Sequence, residues 1–414
     1  MAPGFTFEET KAGRENEPAS LHIPSKGVLP VQQLKWMIRQ GMIHGINGYP
    51  LQEDQLQPNS VDLRLGPQAY RVRCSFLPEN ESVAQKLDKL TQHSFSIEEG
   101  AVLEPNCTYI IPLMESLELP ATVSRPGRSS GSGEPAVYAE EHLTAKANPK
   151  SSTGRLDIFT RVVTDYSHRF EEIPAGYKGR LYLEVVPKSF SIRVRSGQRL
   201  NQLRIRHGSV YLSDQDILMA HKQTPLLLED SGQALPADQM KLNNGVFMSV
   251  SLQGGAGNVI GYKARKHRDV IDLDQLNHYR INDFWEPIYD DDQDFLILEP
   301  EAFYIFASRE RCRIPAHLAA EMVPYDTGSG ELRTHYAGFF DSGFGNDPNH
   351  PGAKAVLEVR SHDVPFLVED GQTFFRMMFE PNTDVPDFVY GSAIASNYQS
   401  QGLKLSKHFK NERP

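Results

Sequence analysis

LEPNCTYIIPLMESLELPA at 103–121 and LEPEAFYIFASRERCRIPA at 298–316 decide how this chain is read. Leu, Glu, Pro, Tyr, Ile, Pro and Ala recur in register at a constant offset. A second echo pairs GRLYLEVVPKSFSIRVRSG, ending at Gly197, with AKAVLEVRSHDVPFLVEDG, ending at Gly371, and in both the Leu-Glu stands at the same distance from the closing glycine. Two strand-rich stretches share alternation by chance, but alternation does not fix Pro, Glu and Gly at matched spacings. The sequence therefore predicts a tandem duplication.

A chain of 414 residues is long for one domain and sufficient for two. The polar, Gly- and Pro-bearing LEDSGQALPADQM (228–240) reads as a surface linker, so the expected division is a flexible N-terminus over 1–25, a first domain over 26–227 and a second over 241–414. Strand patterns dominate each copy: FSIRVRSG and VFMSVSL alternate, and Gly or Pro punctuates the runs. The expectation is a mainly β fold in which helices are a minority. VQQLKWMIRQGMI (31–43) has helical spacing, and SRPGRSSGSGEP (124–135) reads as a flexible insertion.

The formal net charge of -10 offers no global positive field for a nucleic-acid polymer. Cys74, Cys107 and Cys312 are odd in number and far apart, which suits neither a disulfide framework nor a zinc site. No stretch approaches the ~20 apolar residues that span a bilayer. These features point to a soluble cytoplasmic protein without membrane contact.

Three segments carry candidate chemistry. NPKSSTGRLDIFTR (148–161) gathers Lys150, Ser151, Ser152 and Arg155, donors suited to phosphate oxygens, although a serine-rich turn beside a solvated arginine has the same composition. HYAGFFDSGFG (335–345) sets Asp341 among glycines and aromatics that could wall a base or sugar; a glycine-rich turn with core aromatics would look alike. Glu184 and Glu358 are each the lone carboxylate of an apolar strand, and desolvation there would suit either to take a proton from water, unless it faces outward. No H-x-E with P-C-x-x-C pattern and no G-x-x-x-x-G-K-[ST] loop occurs, so zinc-dependent deamination and a P-loop are excluded.

In order, QPNSVDLRLG (57–66), KSSTGR (150–155), AGFFDSGFG with VLE (337–345, 356–358) and the tail YGSAIASNYQSQGLKLSKHF (390–409) resemble the motifs of the dCTP deaminase and dUTP pyrophosphatase superfamily, in its long, duplicated deaminase branch. The resemblance implies two dUTPase-like β-barrel or jelly-roll domains. It implies hydrolytic deamination of dCTP to dUTP, feeding dUMP and dTTP synthesis, with Glu358 activating water for attack on cytosine C4 and Arg155 helping to position that water. Lys150, Ser151, Ser152 and Arg155 would hold the triphosphate; Ala337, Asp341, Gly343 and Phe344 would line base and deoxyribose; Tyr390, Tyr398 and Gln401 would close the tail over the nucleotide. Mg2+ would enter on the triphosphate, with no protein metal site and no zinc. A homo-oligomer is implied, with dTTP a candidate feedback inhibitor. The same scaffold supports dUTP pyrophosphatase or bifunctional activity, and a nucleotide sensor that has lost its chemistry.

The copies depart from the family in complementary ways. EIPAGYKG carries Pro174 where the family has its Asp, VPYDTGSGELR (323–333) lacks the phosphate motif, and Asn397 replaces a tail lysine. One composite site per chain is therefore expected, joining KSSTGR of the first copy to Asp341 and Glu358 of the second, with Glu184 a vestige or a second catalytic candidate.

Overall fold

The structure is a computed structural model that describes residues 25–46, 48–121, 123–125, 139–208, 211–255, 257–324, 332–334, 338–347, 349–361, 363–392, 398–399 and 401–411. The expected N-terminal segment therefore lies outside the described residues up to 24, and so does the expected insertion from 126 onward. Strands dominate, and the described helices are short: Val31–Arg39, Val83–Leu90, Ser151–Gly154, Asp214–Gln223 and Ile281–Phe284.

The first helix stops earlier than its apolar pattern predicts. Gly41 turns left-handed at φ 74°, and Ile43–Gly45 becomes a strand paired with residues 115–117. Met42 and Ile43 thus serve the sheet rather than a third helical turn, because glycine releases the backbone there at no steric cost.

Both copies are built around the repeated segment. It forms the strand Thr108–Glu118 in the first unit and Phe303–Cys312 in the second. Each lies antiparallel to a strand carrying the lone glutamate, Lys178–Pro187 and Ala353–Ser361, and the registers match: Glu184 faces Ile110, and Glu358 faces Ile305. Even a side-chain contact repeats, since the Glu104 N–H donates to Tyr109 Oη at 3.1 Å and the Glu299 N–H to Tyr304 Oη at 2.9 Å. The duplication is structural as well as sequential.

Two sheets enclose the first core, among them Leu63, Ile111, Leu183 and Leu203; the second core includes Met248, Phe306, Leu357 and Phe375. Leu226, Leu227 and Met240, which flank or end the stretch read as a linker, pack in the second core, and Leu227–Leu228 pairs with residues 311–312. Traffic also runs the other way. Ile271 and Asp272 pair in parallel with Ile192 and Arg193, while Trp285, Leu405 and Phe409 bury themselves in the first core. The two units share chain as well as surface.

Candidate active site

A cavity of about 280 Å³ opens between the units, and its wall comes from both. The first unit contributes the turn Ser151–Gly154, whose start is tied to the 199–207 strand: the Lys150 N–H and Thr153 Oγ1 both donate to Leu200 O, at 3.0 and 2.8 Å. Lys150, Ser151, Ser152 and Arg155 all line the cavity. The second unit contributes Asp341, Phe344 and Glu358, and the tail adds Tyr390, Tyr398 and Gln401. The expected composite set thus meets within one chain. Gly343, in the left-handed region at φ 95°, shapes the turn behind this wall, and Tyr390 N–H donates to Ser342 O at 2.8 Å. Ala337 and Asn397 lie outside the described residues.

Glu358 sits on the cavity floor, enclosed by protein yet reached by water through the opening. Burial pushes its carboxyl up to about 8; the Arg155 guanidinium opposes this and Asp157 adds to it. Strand alternation sends Glu358 and Arg360 toward the first unit together. Arg360 forms a buried ion pair with Asp157, which fixes the 353–361 strand against the phosphate-type turn. A Cβ built on Gly154 would stand 2.3 Å from Glu358 Oε2, so the turn approaches the carboxylate as closely as glycine permits.

Arg155, only 2% exposed, is the hub of the tail. It donates to Lys404 O and to Gln401 Oε1, both at 2.8 Å, and its guanidinium lies 4.0 Å from the Tyr398 ring centre. Beyond Gln401 the tail does not hang free: Ser406 Oγ donates to Ser152 O at 2.9 Å, and Phe409 enters a cage of Tyr279, Phe284 and Trp285.

Asp341 is held by the other unit. Arg204 Nη2 donates to its Oδ1 at 2.9 Å and Ser60 Oγ to its Oδ2 at 3.2 Å, while Asn59 Oδ1 accepts from the N–H and Oγ of Ser342. Behind them Arg206 bridges Glu321 and Glu380, and Lys146 also pairs with Glu321, so buried cations of the first unit meet buried acids of the second. The sequence alone does not point to Asn59, Ser60 or Arg204. Asn59 and Ser60 stand inside QPNSVDLRLG, a motif whose resemblance assigns neither residue a role, and nothing local marks Arg204, one of several arginines in RLNQLRIRH.

Glu184 is not brought to the cavity, which corrects its candidacy as a catalytic group. It is fully buried in the first unit, where Arg161 clamps Oε1 through Nε at 3.0 Å and Nη2 at 2.6 Å. Its carboxylate is engaged by that guanidinium and lies outside the cavity lined by Glu358. The position equivalent to Arg360 in this strand is Val186, so nothing pulls a phosphate-type turn toward it.

Two family descriptions cover nearly all of the chain: the 2'-deoxycytidine 5'-triphosphate deaminase N-terminal domain over residues 25–133 and 135–209, and the C-terminal domain over 213–409. The chain belongs to the 2'-deoxycytidine 5'-triphosphate deaminase family. Among solved structures, the family's dCTP deaminase from Agrobacterium tumefaciens is 42% identical, covering 89% of this chain and 98% of that one with a TM-score of 0.78. The dUTPase-like β architecture implied by the motifs therefore holds. The dCTP deaminase of Ignicoccus hospitalis is 26% identical over 148 residues, 36% of this chain and 67% of its own. The dUMP-forming dCTP deaminase of a Sulfurihydrogenibium species is also 26% identical, over 42% of this chain and 81% of its own. Both match less than half of the chain, as expected where one unit of a duplicated family member is compared.

Proposed function

We propose that this chain hydrolyses dCTP to dUTP and ammonia, with Glu358 as the base that activates water. The observation that carries the reading is Glu358 itself: a carboxyl raised to about 8, open to one cavity, beside Arg155 and across from Asp341. Water gives a proton to Glu358 and adds to C4 of cytosine; the proton then passes to the amino group, which leaves as ammonia. Such a base contributes roughly 10²- to 10⁴-fold, and Arg155, fixed by the tail, supplies positive charge near the developing anion. Asp341 would read the deoxyribose hydroxyl; Lys150, Ser151 and Ser152 would hold phosphates; Tyr390 and Gln401 would exclude bulk water.

Mg2+ would arrive on the phosphates. Among the described residues no three His, Cys, Asp or Glu side chains cluster to hold an ion. Asp62 Oδ1, which has no hydrogen-bond partner among the described residues, is a hard oxygen at the phosphate end that fits a phosphate-borne Mg2+ and would neutralise charge with it. We further propose a homo-oligomeric cytoplasmic enzyme feeding dUMP and dTTP synthesis, with dTTP as feedback inhibitor.

A bifunctional reading, dCTP to dUMP, has two supports: one relative is named dUMP-forming, and Asp62 Oδ1 could orient water near phosphorus. A sensor without chemistry has less, since a decayed site would not keep Glu358, Arg155 and Gln401 together. Incubation with dCTP and Mg2+, following ammonia and nucleotides by chromatography, tests all three. Release of ammonia with dUTP, abolished in Glu358→Gln, supports the deaminase; dUMP indicates the bifunctional enzyme; no turnover of dCTP or dUTP by folded protein rejects both.

A further inference from the structure

We propose that Lys407 and Arg199 recognise the terminal phosphate and make the site selective for a nucleoside triphosphate over a diphosphate, an inference that rests on the nucleotide assigned above. The cavity lining mixes charged, polar and aromatic side chains, and its ends differ. A second cavity, of about 340 Å³, adjoins the first and shares Asp62, Lys150, Ser152, Arg199 and Lys407 with it, but contains neither Glu358 nor Asp341. The shared residues therefore mark the end of the first cavity that joins the second, whose wall lacks the reacting carboxylate. Ser151 and Arg155 line only the first cavity.

Three cations stand at this end, and they are held differently. Lys150 is paired with Asp62. Arg199 is braced by Asp54 Oδ1 at 2.7 Å, Asp54 O at 2.9 Å and Gln52 Oε1 at 3.0 Å. The Lys407 ammonium has no hydrogen-bond or ion-pair partner among the described residues, although its backbone is fixed: its carbonyl accepts from Asn277 N–H at 2.9 Å and its N–H donates to Tyr398 Oη at 3.3 Å. The flanking residues are pinned too, Ser406 to Ser152 O and His408 to Leu273 O.

A half-buried ammonium with a rigid backbone and no directly bonded counter-ion among the described residues is unfavourable by itself. Burial drives Lys407 below the ordinary lysine range; Lys150 and Arg199 push the same way, and Asp62 alone opposes them. A phosphate group carrying two negative charges would reverse that balance, engaging the ammonium as a point charge and Arg199 through its planar fork. A diphosphate anchored on Ser151, Ser152 and Arg155 would leave Lys407 without that partner.

The test uses the full chain with Glu358→Gln, which removes turnover, and calorimetric titration with dCTP, dCDP and inorganic tripolyphosphate. The preference for dCTP over dCDP should fall about tenfold or more in Lys407→Met, less in Arg199→Met, and be retained in Lys407→Arg. Equal weakening of both nucleotides in Lys407→Met, or no change, overturns the proposal by reducing Lys407 to a tail anchor. If the chain binds no deoxycytidine nucleotide, the function proposed above fails, and tripolyphosphate decides the phosphate end alone: its binding should weaken about tenfold in Lys407→Met, and unchanged binding overturns the inference.

Discussion

Arg204, wholly buried on a strand of the first unit, donates to Asp341 of the second at 2.9 Å, while its guanidinium lies 4.0 Å from the Phe339 ring centre. The carboxylate assigned to the sugar is thus oriented from the opposite half of the chain. Removing the cation with Arg204→Met should strand Asp341 as a buried acid, at a cost of about 3–5 kcal/mol in denaturant unfolding. Adding Asp341→Asn should recover part of that loss, and a double-mutant cycle with no coupling would refute the pairing.

Glu358 gives a pH dependence with a definite sign. Only the ionised carboxyl can act as base, so kcat/KM for dCTP should climb tenfold per pH unit and level off near the group's value of about 8. Stability moves oppositely. The unfolded chain ionises this carboxyl from about 4.5 while the folded chain keeps the proton to about 8, so the folded state loses stability across that window as pH rises. Glu358→Gln should therefore raise the thermal midpoint more at pH 8 than at pH 5 while abolishing turnover.

For Glu184 the expectation is reversed. Glu184→Gln leaves the Arg161 guanidinium short of its counter-charge and should destabilise the protein by ~1–3 kcal/mol, yet change kcat less than about threefold. Loss of turnover without loss of stability would restore Glu184 as a catalytic candidate.

Phe409 anchors the tail in the first core at 5% exposure. Phe409→Ala should cost ~3 kcal/mol and, because Gln401 and Lys404 would no longer be held on Arg155, raise KM for dCTP more than it lowers kcat. Steady-state kinetics with thermal melts separates the two effects.

The repeat, the lone glutamates and the phosphate-type segment were legible because each is local: Tyr109 and Tyr304 announce their strands at fixed distances from Glu104 and Glu299. What the sequence could not show depends on register between distant strands. Ser60 reaches Asp341, and Arg360 reaches Asp157, only after two sheets from different halves have docked. Likewise Glu184 and Glu358 read alike in one dimension, and only the facing residue, Arg161 in one case and the Gly154 turn in the other, separates a salt-bridged carboxylate from an available one.

The buried pairs across the units also bear on how such a chain can change over generations. Arg204 with Asp341, Asn59 with Ser342, and Asp157 with Arg360 each draw one member from either half. A substitution at one member is coupled energetically to a partner some 135 to 285 positions away. The halves have lost the independence they would have had as twin genes: neither can drift, be exchanged or be recombined at the junction without the other, and these three pairs should vary together among relatives of this length.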